Sequence, residues 1–307
     1  MPMNDSCSIE ILLSIYRPNL TWLKEMLISI QNQTLPSSRI LARYDDSCPQ
    51  ELEVSRNLNI VVLEDSKHRG SASSFFKLLE QSQGDFVLFC DQDDIWLEKK
   101  ISALINNLSK QDLPALSFCS YRTITENSSP IKYRPFIPKK LSKFSFLFSN
   151  SVPGNCMMLN RQLVDLINDT LGSVGIPPWH DWWAISIARE FGSISRTHEP
   201  GVLYRIHSQN TVGIRHGLKR INFHKDNFKS DEPTWLQQTK MLVTLLEIKA
   251  PCGASLLFLK SLLSTYKMNR LKRLNFLILN GILIADPIDL LHALRNYVLP
   301  QSHKDQL

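Results

Sequence analysis

The chain has 307 residues, 43% of them hydrophobic and 21% charged, with 35 Lys and Arg against 29 Asp and Glu and a formal charge of +6. This composition excludes a disordered or fibrous protein, and the length suits one α/β domain carrying an appendage. The basic balance favours anionic partners, whether nucleotides, phosphates, nucleic acid or an acidic membrane surface.

In chain order, the segment 9–15 (IEILLSI) reads as a buried strand. A helix follows, with Leu23, Leu27 and Ile30 at helical spacing and Asn19 or Thr21 as N-cap. Strands are expected at 39–44 and 59–65, and a helix at 73–84 closed by Gly84 as a left-handed C-cap. A strand at 85–90 leads into a helix over 97–110, with Ile101, Leu104, Ile105 and Leu108 on one face, and a further strand spans 115–125. Strands alternating with helices predict a mostly parallel sheet covered on both faces. The polar segment 126–138 reads as a loop, 141–149 as a short apolar helix, 154–160 as a strand, 161–171 as a helix and 180–191 as a helix closed by Gly192. After about residue 217 the pattern is helical and basic, with Lys219, Arg220, Lys225, Lys229, Lys267, Arg270, Lys272 and Arg273 among apolar residues.

The six cysteines include no CxxC pair, which argues against structural zinc. Cys90, Cys119 and Cys156 sit in apolar runs and read as reduced small hydrophobes. The first residues carry no basic region followed by a long apolar stretch, so no signal peptide is expected. The most lipophilic stretch, 274–285, is short for a bilayer and is interrupted by Asn275 and Asn280. These features point to the reducing cytoplasm.

Two acidic clusters fall at predicted strand ends: YDDS at 44–47 and DQDD at 91–94. In an open parallel sheet, ligands collect at the carboxyl ends of the strands. Concentrated carboxylates repel one another unless a cation joins them, and hard oxygen ligands in a D-x-D arrangement suit Mg²⁺ or Mn²⁺ bound together with substrate phosphates. The bland readings stand beside this one. YDDS is rich in turn formers, and Asp94 can cap the helix that IWLEKK opens.

The succession IEILLSIYRPN, LKEMLISIQNQTL, YDDS and GDFVLFCDQDDIWLEKK resembles the family 2 glycosyltransferases, inverting enzymes of GT-A fold that use nucleotide sugars. Further on, GNCMMLNRQL, HDWWAISIAREFGSI and YRIHSQNTVG resemble the rhamnosyltransferase subgroup of surface-polysaccharide assembly. The likeness covers about residues 9–213. It implies an α/β, Rossmann-like, mostly parallel sheet with helices on both faces. A nucleotide-sugar-binding half (1–125) would be followed by an acceptor and catalytic half (126–216) and a basic helical extension (217–307).

By the same resemblance, Asp93 is the principal metal ligand, assisted by Asp91 and His207. Ser14, Tyr16, Asp46, Asp91, Gln92 and Arg205 contact the donor, with Asp46 accepting from a pyrimidine N–H. Trp96 and Lys100 pack beneath the loop. Inversion needs one in-line displacement at the anomeric carbon, with a carboxylate to take the acceptor's proton. Asp181 matches that base, although a helix N-cap is the competing reading. His180, Trp182 and Trp183 are candidates for the acceptor side, and one tryptophan on an amphipathic helix reads equally well as core. His68 stands where the family often carries Asn, and the first motif reads IYRPN.

The implied partners are a TDP- or UDP-sugar and a glycan or polyprenyl-diphosphate-linked acceptor. The basic, apolar tail suits peripheral contact with anionic lipid at the inner face of the cytoplasmic membrane. Nucleic acid fits poorly, because the basic residues are diluted among aliphatics and no helix-turn-helix, zinc or OB signature occurs. Two rivals use similar features. A sugar nucleotidyltransferase would carry a Gly-rich basic loop near the start, where the chain reads SIYRPNLTW. A catalytically silent scaffold would have no need to keep Asp93 together with Asp181.

Overall fold

The computed structural model describes residues 7–46, 58–65, 67–108, 112–131, 141, 145–150, 152–208, 210, 232–250, 252–280 and 287–299. Strand β1 (Ile9–Ile15) leads into helix α1 (Leu20–Gln31). Asn19 caps that helix, its side chain accepting from the amides of Thr21 at 3.0 Å and Trp22 at 3.3 Å. Strands β2 (Arg39–Tyr44) and β3 (Ile60–Val62) precede helix α2 (Ser71–Gln81). Strand β4 (Phe86–Cys90), buried throughout, is followed by the short β5 (Ile95–Trp96), helix α3 (Lys100–Leu108) and strand β6 (Ala115–Ile124). The two-residue β7 (Pro130–Ile131) folds back on β6. A 3₁₀ turn at Gly154–Cys156 opens β8 (Met157–Asn160), and helices α4 (Arg161–Val174) and α5 (His180–Phe191) lead to the long β9 (Ser193–Arg205).

The nine strands among the described residues join one sheet in the order β3-β2-β1-β4-β8-β6-β9-β5, with β7 on the side of β6. β1 pairs in parallel with β2 and β4. β8 runs antiparallel to both β4 and β6, so β6 points the same way as β4. β9 pairs in parallel with β6. The carboxyl ends of β1, β2, β4 and β9 therefore lie on one edge of the sheet. This geometry positions the site.

Three expectations need correction. Helix α2 ends at Gln81 with an extended Ser82, not at a left-handed Gly84. Gly84 lies instead against Glu10, whose Cγ would sit 2.7 Å from an added Cβ. The segment around 145–149 is a turn, not a helix, in its described residues, with Phe146 at φ 66. Phe146, Leu147 and Phe148 are all buried, and the left-handed backbone of Phe146 breaks any right-handed helical path through them. The left-handed residue sends Phe146 towards Phe118 and Phe148 towards Trp235, with ring centroids 6.0 and 5.6 Å apart. Finally, Asp94 caps no helix, because α3 starts only at Lys100 and residues 95–96 pair with β9.

The C-terminal part is helical: α6 (Thr234–Lys249), α7 (Ala254–Tyr266), α8 (Arg270–Leu279) and α9 (Pro287–Ala293), closed by a π-helical turn at Leu294–Val298. Trp235, Leu242, Leu246, Leu259, Leu262 and Tyr297 belong to the same buried apolar cluster as the sheet. Among the described residues no helix is long and apolar enough to cross a membrane. The expected boundary near residues 214–217 and the basic residues Lys219, Arg220, Lys225 and Lys229 lie outside the described residues.

Candidate functional site

Asp91, Gln92, Asp93 and Asp94 leave the end of β4 at the shared carboxyl edge. Arg205 closes β9 and His207 follows it, two residues on along an extended path. Both reach Asp93: Arg205 Nε donates to its backbone carbonyl at 2.8 Å, and His207 Nε2 stands 2.7 Å from its Oδ2. Trp22 of α1 packs on both, its ring 4.8 Å from that of His207 and 5.2 Å from the Arg205 guanidinium carbon.

Asp181 enters from the first turn of α5, half-buried, with Oδ1 accepting from the Trp182 amide at 2.7 Å. The N-cap is Trp179, so Asp181 is not the capping residue. Burial pushes the Asp181 carboxyl up to about 6. Burial, together with the charges of Asp93 and then Asp181, lifts Asp91 to about 7, against the pull of Lys100. The three carboxylates therefore share one field. Asp94 is buried below them and also raised, by burial first and then by Asp93 and Asp91. It is a latch, accepting from the Asn155 side-chain amide and from the Arg205 amide at 2.7 Å.

Beneath the loop, Lys100 is fully buried. Its Nζ lies 3.0 Å from the Trp96 ring centroid and donates to the carbonyl of Asn155 at 2.6 Å. Burial lowers its pKa to about 8, opposed by Cys119, Cys90, Cys156 and Asp94. Trp96 and Lys100 thus pack under the acidic loop as expected. Cys90, Cys119 and Cys156 are free and buried.

On the other flank, Tyr16 is exposed and stacks on His68 with ring centroids 4.9 Å apart. Asp46 stands beside them, 3.3 Å from Arg17 Nε. Ser14, paired in register with Arg43, is half-buried near the end of β1. The first carboxylate of the pair, Asp45, which the YDDS pattern does not single out, is buried and firmly anchored. It accepts from Arg43 Nη1 at 2.8 Å and from the amides of Arg69 at 2.7 Å and Gly70 at 2.8 Å. Burial alone would raise its pKa, but these hydrogen bonds and one from Ser74 outweigh burial and hold it below the usual range. Arg43 was the available signal, since a buried arginine in an otherwise apolar strand requires an anion.

Several predicted contacts have other occupations. Gln92 uses both ends of its amide on the backbone of Tyr16, accepting from its N–H and donating to its carbonyl, each at 2.8 Å. It clasps the two loops together instead of facing a donor. Arg205 is fully buried and engages Thr125, Glu126, Ser128 and Glu25 besides Asp93, so its guanidinium positions the loop. Trp183 is core, donating to Thr170 Oγ1 at 3.1 Å, and Trp182 is buried, donating to the Phe146 carbonyl at 2.7 Å. His180 is buried between Phe75 and Phe89, at centroid distances of 4.1 and 4.7 Å, and presents no surface to an acceptor. Helix α5 is buried nearly all round, from His180 through Ala188 apart from Asp181, so all three side chains belong to the core.

Among solved structures, the chain resembles TarS 1–349 of S. aureus in complex with UDP-GlcNAc. The TM-score is 0.53 at 16% identity, over 78% of this chain and 66% of that one. TarS 1–349 without that ligand gives 0.50 at 14% identity, over 95% and 89%. The fold is of the GT-A type, that of nucleotide-sugar transferases. The sequence pattern of glycosyl transferase family 2 matches residues 11–166, half of the chain. The chain belongs to that family and is a glycosyltransferase, which sets aside the nucleotidyltransferase reading. Similar relatives include the dTDP-rhamnosyl transferase RfbG of Shigella flexneri, 26% identical over 64% of this chain and 73% of the relative. Another is the glucosyltransferase WfgD of Escherichia coli, which acts on α-D-GlcNAc-diphosphoundecaprenol; it is 25% identical over 52% and 63%. The putative teichuronic acid biosynthesis glycosyltransferase TuaG of Bacillus subtilis is 25% identical over 45% of this chain and 51% of its own length.

Proposed function

We propose that the chain is an inverting glycosyltransferase that moves a deoxysugar, L-rhamnose from TDP-rhamnose in the best-supported reading, to a growing glycan. The acceptor is a glycan or polyprenyl-diphosphate-linked oligosaccharide of O-antigen or capsule type, handled at the inner face of the cytoplasmic membrane. The observation that carries the reading is the convergence of Asp91, Asp93 and Asp181 at one sheet edge, close enough for Asp93 and Asp181 to raise Asp91. The sugar and the setting rest on the rhamnosyl transferase relative and on the relative that acts on a lipid diphosphate.

In this reading the acceptor hydroxyl attacks the anomeric carbon, the bond from that carbon to the diphosphate oxygen breaks, and the hydroxyl proton passes to Asp181. The nucleoside diphosphate leaves with the bonding pair. Tyr16, His68 and Asp46 form the rim beside which a pyrimidine fits, and Asp46 is an acceptor for its ring N–H.

A divalent cation suits the donor set. Asp93 and His207 offer an oxygen and a nitrogen 2.7 Å apart, and Asp91 is close enough to feel the charge of Asp93. Among the described residues no three His, Cys, Asp or Glu are grouped so as to hold a metal ion by themselves. That matches an ion such as Mg²⁺ that fills its sphere with water and substrate phosphate. Asp93 and His207 would hold Mg²⁺ or Mn²⁺ together with water and substrate phosphate, with Asp91 adding negative charge nearby, and the ion when bound would neutralise charge on the departing diphosphate.

The test is nucleotide release from TDP-rhamnose, UDP-glucose, UDP-galactose, UDP-N-acetylglucosamine and GDP-mannose with Mn²⁺ or Mg²⁺. TDP-rhamnose is expected to turn over, with loss in Asp93→Asn. Turnover confined to another donor overturns the sugar, and turnover untouched by chelator overturns the metal.

A further inference from the structure

Helix α8 packs Leu277, Leu274 and Phe276 against the core, as a surface helix does, yet it carries large apolar side chains on its outward side as well. Its inward side carries Arg273, only 8% exposed, with its guanidinium carbon 5.3 Å from the Tyr266 ring centroid, and Leu277 beside it. Its outward side carries Leu271 at 78% exposure and Leu279 at 76%, with the half-exposed Ile278 close to Leu271 in angle. Leu271 and Ile278 are two turns apart and lie on one line along the helix. Met268, in the connection from α7, and Leu257 of α7 add to the exposed apolar set.

The charge around this face has one sign. From Cys252 to Asn280 there is no Asp or Glu, while Lys260, Lys267, Arg270, Lys272 and Arg273 are present. Lys260 is tied to Glu247 at 2.7 Å. Lys267, Arg270 and Lys272 are exposed and flank the leucines.

We infer that the outward face of α8, with Lys267 and Met268, is a docking surface for an anionic phospholipid bilayer. Leucines enter the acyl boundary while Lys and Arg stems reach back to phosphate, an arrangement that needs apolar and basic groups side by side. A second copy of the chain is the weaker occupant, because a two-fold contact would set Lys267, Arg270 and Lys272 against themselves. The purpose of the contact rests on the lipid-linked acceptor reading. The contact itself does not, and it is measured without donor or acceptor.

The experiment sediments the full-length protein with vesicles of phosphatidylcholine, alone or mixed with phosphatidylglycerol. The comparison variants are Leu271→Asp/Leu279→Asp and Lys267→Gln/Arg270→Gln/Lys272→Gln. The wild type should bind mixed vesicles about tenfold or more tightly than neutral ones, and each variant should lose that binding while keeping its melting temperature and its nucleotide release. Equal binding to both vesicle types, or retained binding by the leucine variant, overturns the inference. So does a wild-type dimer that the leucine variant splits without any vesicle binding, which would make the face a subunit contact. Failure of the donor reading shows separately, as absent nucleotide release with vesicle binding intact.

Discussion

Arg205 holds Asp93 by the backbone: its Nε donates to the Asp93 carbonyl at 2.8 Å, across the gap between the ends of β9 and β4. The rest of the guanidinium is spent on Glu126 O at 2.8 Å, Ser128 Oγ at 2.9 Å and Glu25 Oε2 at 2.5 Å. Arg205→Met should leave these acceptors without a donor and lower stability by about 3 kcal/mol. Arg205→Lys should rescue little, since one ammonium cannot reproduce the planar fork. Thermal melting alongside kinetics checks this. A raised donor KM with unchanged kcat and unchanged melting would return Arg205 to the role of donor contact.

In the proposed mechanism Asp181 sets the acid side of the pH profile. A general base works only unprotonated, and burial places its pKa at about 6. Turnover should therefore be low below pH 6, rise through that value and level off above it. Asp181→Asn should cut kcat by about 10²- to 10⁴-fold and should remove this limb from the residual activity. A limb that survives unchanged in Asp181→Asn would assign it to another group.

Gly154 leaves room for the start of α5. A Cβ there would lie 2.6 Å from His180 Nε2 and 3.3 Å from Asp181 Cβ. His180 cannot yield easily, wedged between Phe75 and Phe89. Burial keeps it neutral, with a pKa near 3, and its ring nitrogens have no hydrogen-bond partner among the described residues. Gly154→Ala should therefore displace Asp181, costing about 1–3 kcal/mol of stability and at least tenfold in kcat, about 1.4 kcal/mol in barrier. Nucleoside diphosphate affinity should hold. Unchanged kinetics in a stable variant would mean the turn moves instead.

The α/β half was largely legible in the sequence because its signals are local. Apolar runs fixed β1, β2 and β4, and Asn19 marked the start of α1. Strand β9 was missed beyond its end because SISRTHEPGVLYR carries Pro200, Gly201 and charge, and looks like a loop. It is a strand because it follows β6 through register shifts around Ser120, with Gly201 fitting where a Cβ would strike Cys119 Sγ at 2.6 Å. In the site, the sequence pattern located Asp91, Asp93, Asp181 and His207 but could not tell which polar groups face a ligand and which face other protein atoms. Gln92, Arg205 and His180 fell to the second kind, a distinction set by contacts 76 residues away in sequence for Gln92 and 180 for the Arg205–Glu25 pair. Asp45 and Asp46 are adjacent, yet one is buried under Arg43 and the other stands at the rim.

The short turn at 145–150 has a consequence for modularity. Its Phe146 carbonyl receives the Trp182 indole N–H at 2.7 Å, and its Phe148 carbonyl receives Asn296 at 2.7 Å. The Phe148 ring sits between Trp235 and Tyr297, 5.6 Å from each. The helix that bears Asp181 and the last helices of the chain thus share one keystone. A chimera that grafts the first two hundred residues onto another tail would strip this keystone of one side and leave Phe148 facing water. An exchange of segments between relatives would then have to carry the C-terminal helices along with the helix that bears Asp181, as a single inheritable block.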